Sequence, residues 1–182
     1  MEKVNLSSSK EIIVNHIRRA TIDDIPEIVN INIECWKINY KWIIDQEYLD
    51  KLSVNDKLEK WKSHFLENKN TTSYYVKVID WKIVGFISWG KNMDAKYPYE
   101  NEIYGLYVDI NHQGKNIGKE LMETIFKDEK FINCKSFCLW TLRDNPQSNH
   151  FYQKMWWKLF SDPWEKSHLR TWVPLAWYVR EK

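Results

Sequence analysis

Alternating apolar and polar positions predict seven β-strands along this chain. Runs rich in Val, Ile, Tyr, Phe and Trp suit the pleated, half-buried surface of a sheet. The second and third runs are separated only by Asp80 and Trp81, which predicts a hairpin with a two-residue turn. Such turns need positive φ, so we expect Trp81 to be strained or to force another turn type. The predicted strands are residues 14–18, 74–79, 82–89, 102–108, 136–142, 157–160 and 169–179.

Apolar residues at helical spacing predict four helices between these strands. Thr21 and Asp24 match a capping box at the start of the first helix, and Asn145 followed by Pro146 matches the start of the last. The segment 37–52 is rich in aromatic residues and too irregular to assign to one element. The predicted order is therefore β-α-α-β-β-β-α-β-α-β-β. The predicted helices cover residues 22–36, 54–66, 117–126 and 146–155.

Length and composition place the chain among globular proteins of one domain. It has 182 residues, of which 43% are hydrophobic and 29% charged. Its 11 Trp outnumber its 5 Gly, although average usage would give roughly 13 glycines. The longest apolar stretch, residues 173–179, is far shorter than the roughly 20 residues of a membrane span, and the polar start lacks a signal-peptide core. We therefore expect a flexible tail over residues 1–13, one domain over residues 14–182, no membrane partner and a cytoplasmic location.

Charge and cysteine content exclude further classes of function. A net charge of +2 is too small to indicate a nucleic-acid partner. The alternative of nucleic-acid binding rests only on interleaved aromatic and basic residues at 156–158 and 164–166. The 3 Cys lack CxxC spacing and the 5 His lack HxxxH spacing, so we expect no disulfide framework and no metal.

A polar loop, residues 109–116, joins the strand 102–108 to the next helix. Gly114 and Gly118 let the backbone approach a ligand closely, and the first amides of the helix have no intrahelical partners. The helix dipole adds roughly half a positive charge there, and Lys115 and Lys119 add whole charges. The loop is suited to an anion such as a pyrophosphate, with a plain tight turn as the alternative.

Two motifs resemble the GNAT superfamily of N-acetyltransferases. Gln113-x-x-Asn116-x-Gly118 follows a Glu-x-x-x-Leu-Tyr-Val strand and is similar to the family's acyl-CoA pattern Gln/Arg-x-x-Gly-x-Gly/Ala. Asn145 and residues 148–155 resemble the family's helix Asn-x-x-Ala-x-x-Phe-Tyr-x-Lys. The resemblance implies an α/β (α+β) fold with one mixed, mostly antiparallel seven-stranded sheet. About four helices would flank this sheet, with a V-shaped opening between its fourth and fifth strands.

The resemblance further implies that acetyl-CoA is the co-substrate. It would enter between the strands 102–108 and 136–142, which a bulge in the former holds apart. Backbone amides of residues 113–119 would hold the pyrophosphate. Main-chain groups of Leu106 and Val108 would form hydrogen bonds with the pantetheine arm, and the Leu106 N–H would polarise the thioester carbonyl. The implied cofactor-binding residues are Leu106, Tyr107, Val108, Gln113, Gly114, Lys115, Asn116, Ile117, Gly118, Lys119, Asn145 and Tyr152.

Two catalytic residues follow from the same resemblance. Glu102 occupies the position of a Glu that is the general base in several family members, directly or through water; a solvated strand carboxylate is the alternative. Tyr152 matches the family's general acid, with a packing role as the alternative. Alternation along an unbulged strand would place Glu102 on one face with Leu106 and Val108. Direct transfer of the acetyl group needs no enzyme nucleophile.

The expected acceptor is a primary amine of a small molecule or peptide. We expect Trp36, Tyr40 and Glu102 to bind it, since aromatic faces attract cations; a place in the core is the alternative for the two aromatic residues. In this fold the acceptor pocket is built from two loops, here residues 36–48 and 161–168. These two loops contain four acidic residues, which favour a cationic amine: Asp45, Glu47, Asp162 and Glu165.

Many members of the family are dimers, so a homodimer is an open alternative.

The chain departs from the family pattern at several glycine positions. Asn116 stands where the family has Gly, so we predict that CoA binding is retained but weakened. Trp42, Trp81 and Trp156 also stand where glycines are expected. These departures leave a second hypothesis open, a CoA-binding sensor or interaction protein with impaired catalysis.

Overall fold

Seven strands lie in residues 14–68, 70–94, 97–161 and 175–181, the parts of the chain that the computed structural model describes. They are β1 (Asn15–Arg19), β2 (Thr72–Ile79), β3 (Lys82–Lys91), β4 (Asn101–Val108), β5 (Ser136–Leu142), β6 (Lys158–Ser161) and β7 (Leu175–Glu181). The order in the sheet is β1-β2-β3-β4-β5-β7-β6. All neighbours pair antiparallel except β4 and β5, which are parallel. The predicted mixed sheet is confirmed, whereas the predicted tail, residues 1–13, lies outside the described residues.

Six α-helices accompany this sheet in the described ranges, two more than the sequence predicts. The additional helices are short and each begins at an aspartate cap: Asp45 accepts a hydrogen bond from Tyr48 N at 3.1 Å, and Asp128 accepts one from Lys130 N at 2.9 Å. One or two turns are too short for an apolar period to be visible. Within those ranges, no helix combines the length and the apolar character of a membrane span. The helices are α1 (Ile25–Asn39), α2 (Gln46–Asp50), α3 (Val54–Glu67), α4 (Ile117–Ile125), α5 (Glu129–Ile132) and α6 (Pro146–Lys154).

The helices form two layers, one on each face of the sheet. On one face, α1 and α3 cover a cluster that includes Ile28 and Phe86, neither of which is exposed. On the other face, α4, α5 and α6 cover a cluster that includes Ile87 and Leu121, which are equally buried. Phe86 and Ile87 are consecutive, as expected for a strand that is buried on both sides. The central strands therefore send side chains into both layers.

A β-bulge interrupts β4 at Tyr104. Ile103 pairs with Trp89 of β3, whereas Gly105 pairs with Ser88, so Tyr104 is an extra residue on β4. This confirms the bulge that the resemblance implies.

The bulge reverses the alternation of side chains along β4. An extra residue moves every later side chain to the opposite face. Leu106 and Val108 consequently pack with the α4 layer, whereas Tyr107 packs with the α1 layer. The register places Glu102 on the face of Tyr107. The expectation that Glu102 shares a face with Leu106 and Val108 is therefore wrong.

The sheet opens between β4 and β5. Their parallel pairing joins Asn101–Ile103 to Phe137–Leu139 and goes no further. Beyond Ile103 the two strands separate, as the expected V-shaped opening requires. The sheet is thus a four-stranded part, β1 to β4, joined to a three-stranded part by one short parallel ladder.

Two of the three tryptophans in expected glycine positions have left-handed backbones. The turn between β2 and β3 has φ of 47° at Asp80 and 66° at Trp81, and Trp156 after α6 has φ of 67°. The predicted two-residue hairpin is confirmed, and Trp81 and Trp156 both adopt the left-handed backbone that favours glycine. Trp42 is not among the residues with positive φ in the described part of the chain, so its backbone conformation does not require glycine.

Candidate active site

A cavity of about 610 Å³ occupies the opening between β4 and β5. Its volume lies within the usual range for small-molecule sites. Four elements form its walls: α1, the second half of β4, the start of α4 and α6. The residues that line it are Cys35, Asn39, Tyr40, Leu106, Tyr107, Val108, His112, Gln113, Gly114, Asn116, Ile117, Gly118, Lys119, Asn145, Gln147, Ser148, His150, Phe151, Tyr152, Lys154 and Met155.

The structure brings most of the predicted site residues together in this cavity. All predicted cofactor-binding residues except Lys115 line it, and so does Tyr40. Lys115 turns back to its own loop, where Nζ donates to the Asn111 carbonyl at 3.0 Å. Trp36 and Glu102 do not line the cavity. Trp36 stands behind it, with Nε1 donating to the Tyr107 hydroxyl at 2.9 Å.

The main chain of β4 faces this opening at Leu106 and Val108. Asp109 N donates to Val84 O of β3 at 2.9 Å, so Asp109 directs its main chain toward β3. In an antiparallel pair, the N–H and C=O groups of successive residues point alternately toward and away from the partner strand. The main-chain groups of Val108 and Leu106 therefore point away from β3 and toward the opening.

The carbonyl of Val108 is already occupied within the protein. It accepts from Gln113 Nε2 at 3.0 Å and from Cys35 Sγ at 3.2 Å. A carbonyl oxygen has two lone pairs, and these two donors use both of them. A ligand at this edge would therefore meet the Val108 N–H and the main-chain groups of Leu106.

Burial raises the pKa of the Cys35 thiol to about 12, assisted by the negative charge of Asp109. Because the thiolate is the nucleophilic form, Cys35 is unreactive near neutral pH. Its role in the cavity is that of a hydrogen-bond donor to the Val108 carbonyl.

The start of α4 has the backbone of an anion site. Gly114 has φ of 74° and Asn116 has φ of 64°, so both residues are left-handed. A Cβ atom at Gly114 would meet nothing within 4 Å, which means that its conformation rather than lack of space favours glycine. A Cβ atom at Gly118 would lie 3.5 Å from the Phe151 ring, an ordinary contact. The free amides of the first turn of α4 then face the cavity.

The side chains around this end of the cavity are basic or neutral. Lys119, Lys154, His112 and His150 line it, and none of the described lining residues is Asp or Glu. Nδ1 of His112 lies 2.7 Å from Oδ1 of Asp109, which orients the ring. This charge distribution favours an anionic ligand.

The acidic acceptor residues expected in the 36–48 loop do not line the cavity. Asp45 caps α2, and Glu47 forms an exposed ion pair with Lys51 at 2.5 Å. Asp162 and Glu165 lie outside the described residues. The expectation of an acidic acceptor pocket thus finds no support in the described lining.

Asn145 is buried at the start of α6 and caps it as predicted. Its Oδ1 accepts from Ser148 N at 3.2 Å, and its Nδ2 donates to Ser148 Oγ at 2.9 Å. The side chain therefore serves first to hold the β5–α6 turn at the cavity wall.

Tyr152 is 8% exposed and lies on α6 between Phe151 and Tyr178, with ring centroids 5.3 Å and 5.8 Å away. Burial, with smaller contributions from Tyr107 and Tyr178, raises the pKa of its phenol. Burial also raises the pKa of Tyr40 and Tyr107. The cavity therefore contains three neutral phenols near neutral pH, each able to donate a proton or a hydrogen bond.

Glu102 lies toward the closed end of the β4–β5 opening, on the α1 face of β4. Its side chain is half-buried, and Oε2 accepts from Met93 N at 3.4 Å. Because it does not line the cavity, its carboxylate is in a position to act there only through intervening groups.

Several lining residues were not predicted as site residues. In α6 and directly after it, most of them recur at the three- and four-residue spacing of one helical face with Tyr152. They are Gln147, Ser148, His150, Phe151, Lys154 and Met155. That spacing was a usable signal once Asn145 was known to begin the helix. Cys35 and Asn39 lie four residues apart on α1 and also line the cavity. The sequence gives no signal for this, because the apolar residues around them indicate only that this helix packs against the core.

A family model described as the acetyltransferase (GNAT) family matches residues 26–177 of this chain. Among curated proteins, the chain is 27% identical over 140 residues to an uncharacterised N-acetyltransferase, YuaI, of Bacillus subtilis, covering 75% of this chain and 76% of the relative. It is 26% identical over 145 residues to a spermidine N(1)-acetyltransferase of Thermoplasma acidophilum, covering 76% and 84%.

Solved structures share this fold. PaiA N-acetyltransferase from Thermoplasma acidophilum, in complex with coenzyme A, superposes with a TM-score of 0.71 at 22% identity, covering 90% of this chain and 98% of that one. YncA of Salmonella typhimurium, solved with acetyl-CoA, gives a TM-score of 0.68 at 16% identity, covering 92% and 93%. In the described part of this chain, no group of three or more His, Cys, Asp or Glu residues is placed to hold a metal ion.

Proposed function

The chain belongs to the acetyltransferase (GNAT) family, and we propose that it transfers the acetyl group of acetyl-CoA to a primary amine of a small molecule or peptide. One observation carries this proposal. The cavity between β4 and β5 combines free main-chain groups of β4, the amide-rich start of α4 and the buried phenol of Tyr152. Relatives support it, because one is a spermidine acetyltransferase and two neighbours in fold were solved with coenzyme A or acetyl-CoA.

The residues present fit acetyl-CoA. The left-handed backbone at Gly114 and Asn116 and the free amides of α4 suit the pyrophosphate, and Lys119 adds a positive charge. The N–H groups of Leu106 and Val108 suit the amide-bearing pantetheine arm. Acetyl-CoA supplies a thioester carbonyl, which an N–H from β4 would polarise as charge develops on its oxygen.

The protons of the transfer are assigned to Glu102 and Tyr152. An attacking amine must lose a proton, and Glu102 would accept it through water because its carboxylate does not line the cavity. Tyr152 would protonate the departing thiolate, since its raised pKa keeps a proton on the phenol near neutral pH. The unreactive thiol of Cys35 supports direct transfer without an acyl-enzyme.

The decisive experiment is acetyl-CoA turnover over a panel of primary amines, followed by thiol release, together with calorimetry of acetyl-CoA binding. We expect binding and turnover with at least one amine class. Binding without turnover for every amine would contradict acetyl transfer and favour a CoA-dependent sensor or interaction protein. Absence of binding would contradict both.

The role of Glu102 has its own test. We expect Glu102→Gln to lower kcat roughly 100-fold near neutral pH, with part of the rate restored as higher pH deprotonates the amine in solution. Acetyl-CoA affinity should stay unchanged. Glu100→Gln is the matched control, because Glu100 is an exposed carboxylate that accepts from Lys135 N at 2.9 Å and does not line the cavity. An equal loss in both variants would contradict a catalytic role for Glu102.

A further inference from the structure

Lys77 is a charged residue in a buried position of the sheet. Its strand, β2, directs Tyr75 and Ile79 into the layer of α4, and alternation along the strand places Lys77 between them on the same face. Its side chain is only 6% exposed. Lysine is almost never buried to this extent without a partner of opposite charge. The partner that compensates this charge therefore decides what the lysine does.

Helix α4 lies directly on the sheet beside Lys77. Gly85 of β3 pairs with Lys77 in the register of the two strands. A Cβ atom at Gly85 would lie 3.3 Å from Ile117 Cγ2 and 3.4 Å from Leu121 Cδ1, so the first turns of α4 rest on this glycine. The side chain of Lys77 therefore lies next to the start of α4, which is the end of the helix that faces the cavity.

The ammonium group of Lys77 forms an ion pair with Glu120 of α4 and donates a hydrogen bond to its Oε2. Glu120 is the acidic residue in the first turn of this helix, and its side chain is 45% exposed. It does not line the cavity, whereas its neighbour Lys119 does. The pair thus joins a buried cation of the sheet to a carboxylate at the end of the helix where an anion would bind.

An unpaired carboxylate at this place would oppose anion binding. Glu120 follows Ile117, the first residue of α4, by three positions, which is an axial distance of about 4.5 Å. Side chains of a helix lean toward its N-terminus, so the carboxylate lies within about one turn of the free amides. It would repel a pyrophosphate bound to these amides. The contact with Lys77 neutralises the carboxylate and holds it on the β2 side of the helix, away from the cavity.

We infer that Lys77 is a positioning residue of the cofactor site, which acts through Glu120 to keep the start of α4 free of opposing negative charge. This inference rests on the proposed use of acetyl-CoA and concerns the pyrophosphate end of that site. The alternative is a clamp that only fastens α4 to the sheet. The two differ because a clamp needs both partners, whereas a neutralising cation is dispensable once the carboxylate is removed.

The experiment measures CoA affinity by calorimetry in the wild-type protein, in Lys77→Met, in Glu120→Gln and in the double variant. We expect Lys77→Met to weaken CoA binding about tenfold at low salt, and we expect this loss to shrink as added salt screens the carboxylate. The double variant should recover the wild-type affinity, because it lacks both charges. Glu120→Gln should bind CoA at least as tightly as the wild type, although it has lost the ion pair.

Lys62→Met is the matched control for the loss of one positive charge. Lys62 Nζ lies 3.5 Å from Glu59 Oε1 on α3, so this variant also leaves a glutamate unpaired. The helix lies on the other face of the sheet, and neither residue lines the cavity. Its CoA affinity should therefore equal that of the wild type. An equal loss in this control would assign the effect to net charge and overturn the inference.

Three further results would overturn it. The first is an unchanged affinity in Lys77→Met, with thermal unfolding establishing that the variant is folded. The second is a double variant that binds CoA as weakly as Lys77→Met, which would make the pair a structural clamp. The third is a loss of affinity in Glu120→Gln, which keeps the buried lysine and so remains decisive if Lys77→Met fails to fold.

Calorimetry of CoA needs no turnover, which separates this inference from the proposed acetyl transfer. A wild-type protein that binds CoA but acetylates no amine would contradict the transfer alone. A wild-type protein that binds CoA and transfers acetyl groups, with the affinities of the variants ordered otherwise than expected, would contradict the role of Lys77 alone.

Discussion

At the scale of single residues, the unusual positions of this chain are those with a left-handed backbone. Trp81, Trp156 and Asn116 all have positive φ, although glycine adopts that conformation at least cost. Trp81 and Trp156 are each 82% exposed, so burial of their rings offsets little of this cost. Asn116 differs from them because its short polar side chain tolerates the left-handed region and lines the cavity.

Replacing either exposed tryptophan by glycine should stabilise the protein. For Trp81→Gly and Trp156→Gly we expect a gain of about 0.5–1 kcal/mol in the free energy of unfolding, because relief of the left-handed strain exceeds the added chain entropy. Thermal unfolding should show an increase in Tm of roughly 1–4 °C. Trp42→Gly is the matched control, since Trp42 is 90% exposed without positive φ. A similar gain in the control would contradict strain as the cause.

Asn116→Gly should strengthen cofactor binding. The Asn side chain stands at the start of α4, where the pyrophosphate would approach the amides. Its removal relieves crowding, for which we expect roughly threefold tighter acetyl-CoA binding, or about 0.7 kcal/mol. Calorimetry measures this directly, and an unchanged affinity would show that the substitution at this family position is neutral.

Tyr152→Phe should lower kcat while leaving the fold in place. Loss of a general acid is expected to cost about 100-fold, and the phenyl ring would keep the packing with Phe151 and Tyr178. Thiol release measures the rate, and calorimetry should show retained acetyl-CoA binding. A kcat within a factor of about two of the wild-type value, the scatter expected of a substitution without a catalytic role, would assign Tyr152 to packing alone.

At the scale of elements, the first strand and the first helix are joined by a bidentate ion pair. Arg18 of β1 donates to both carboxylate oxygens of Asp24, at 2.6 Å and 2.9 Å. Asp24 Oδ2 also accepts from Thr21 N at 2.7 Å, which completes the capping box before α1. These bonds hold the pKa of Asp24 below its ordinary value of 3.8, and the hydrogen bond from Arg18 makes the largest contribution.

This lowered pKa makes the contribution of Asp24 dependent on pH. A carboxyl with a lower pKa in the folded than in the unfolded state stabilises the fold above the unfolded value and ceases to do so as pH falls through the folded value. We expect Asp24→Asn to be destabilising at pH 6 and the difference from wild type to shrink below about pH 4, near the unfolded value. Urea unfolding at several pH values measures it. Asp23→Asn, at an exposed neighbour, should be neutral throughout; a pH-independent loss in Asp24→Asn would contradict the ion pair as the cause.

At the scale of the whole molecule, the cavity proposed as the active site is a consequence of the divided sheet. Only the short ladder between Asn101–Ile103 and Phe137–Leu139 joins the two parts. Beyond it, main-chain groups of β4 that would otherwise pair with β5 are free to bind a ligand, and α4 and α6 close the opening from one layer. Helix α1 from the other layer contributes Cys35 and Asn39, so elements of both helical layers line the cavity at this gap.

Much of this architecture was predictable because its signals are local. The hairpin at Asp80, the cap at Asn145 and the left-handed turn at Gly114 are each encoded within a few residues, and the structure has all three. The two short helices α2 and α5 were missed because a single capped turn has no apolar period.

The sequence by itself determined the family, the order of the strands and main helices, and the cavity residues that belong to motifs. Only the tertiary structure decided which side of β4 each residue occupies, because the single extra residue at Tyr104 turns all later side chains over. It also decided that the indole of Trp36 meets the Tyr107 hydroxyl behind the cavity, with Nε1 donating at 2.9 Å. The two residues lie 71 positions apart in the chain, so no local pattern records their contact.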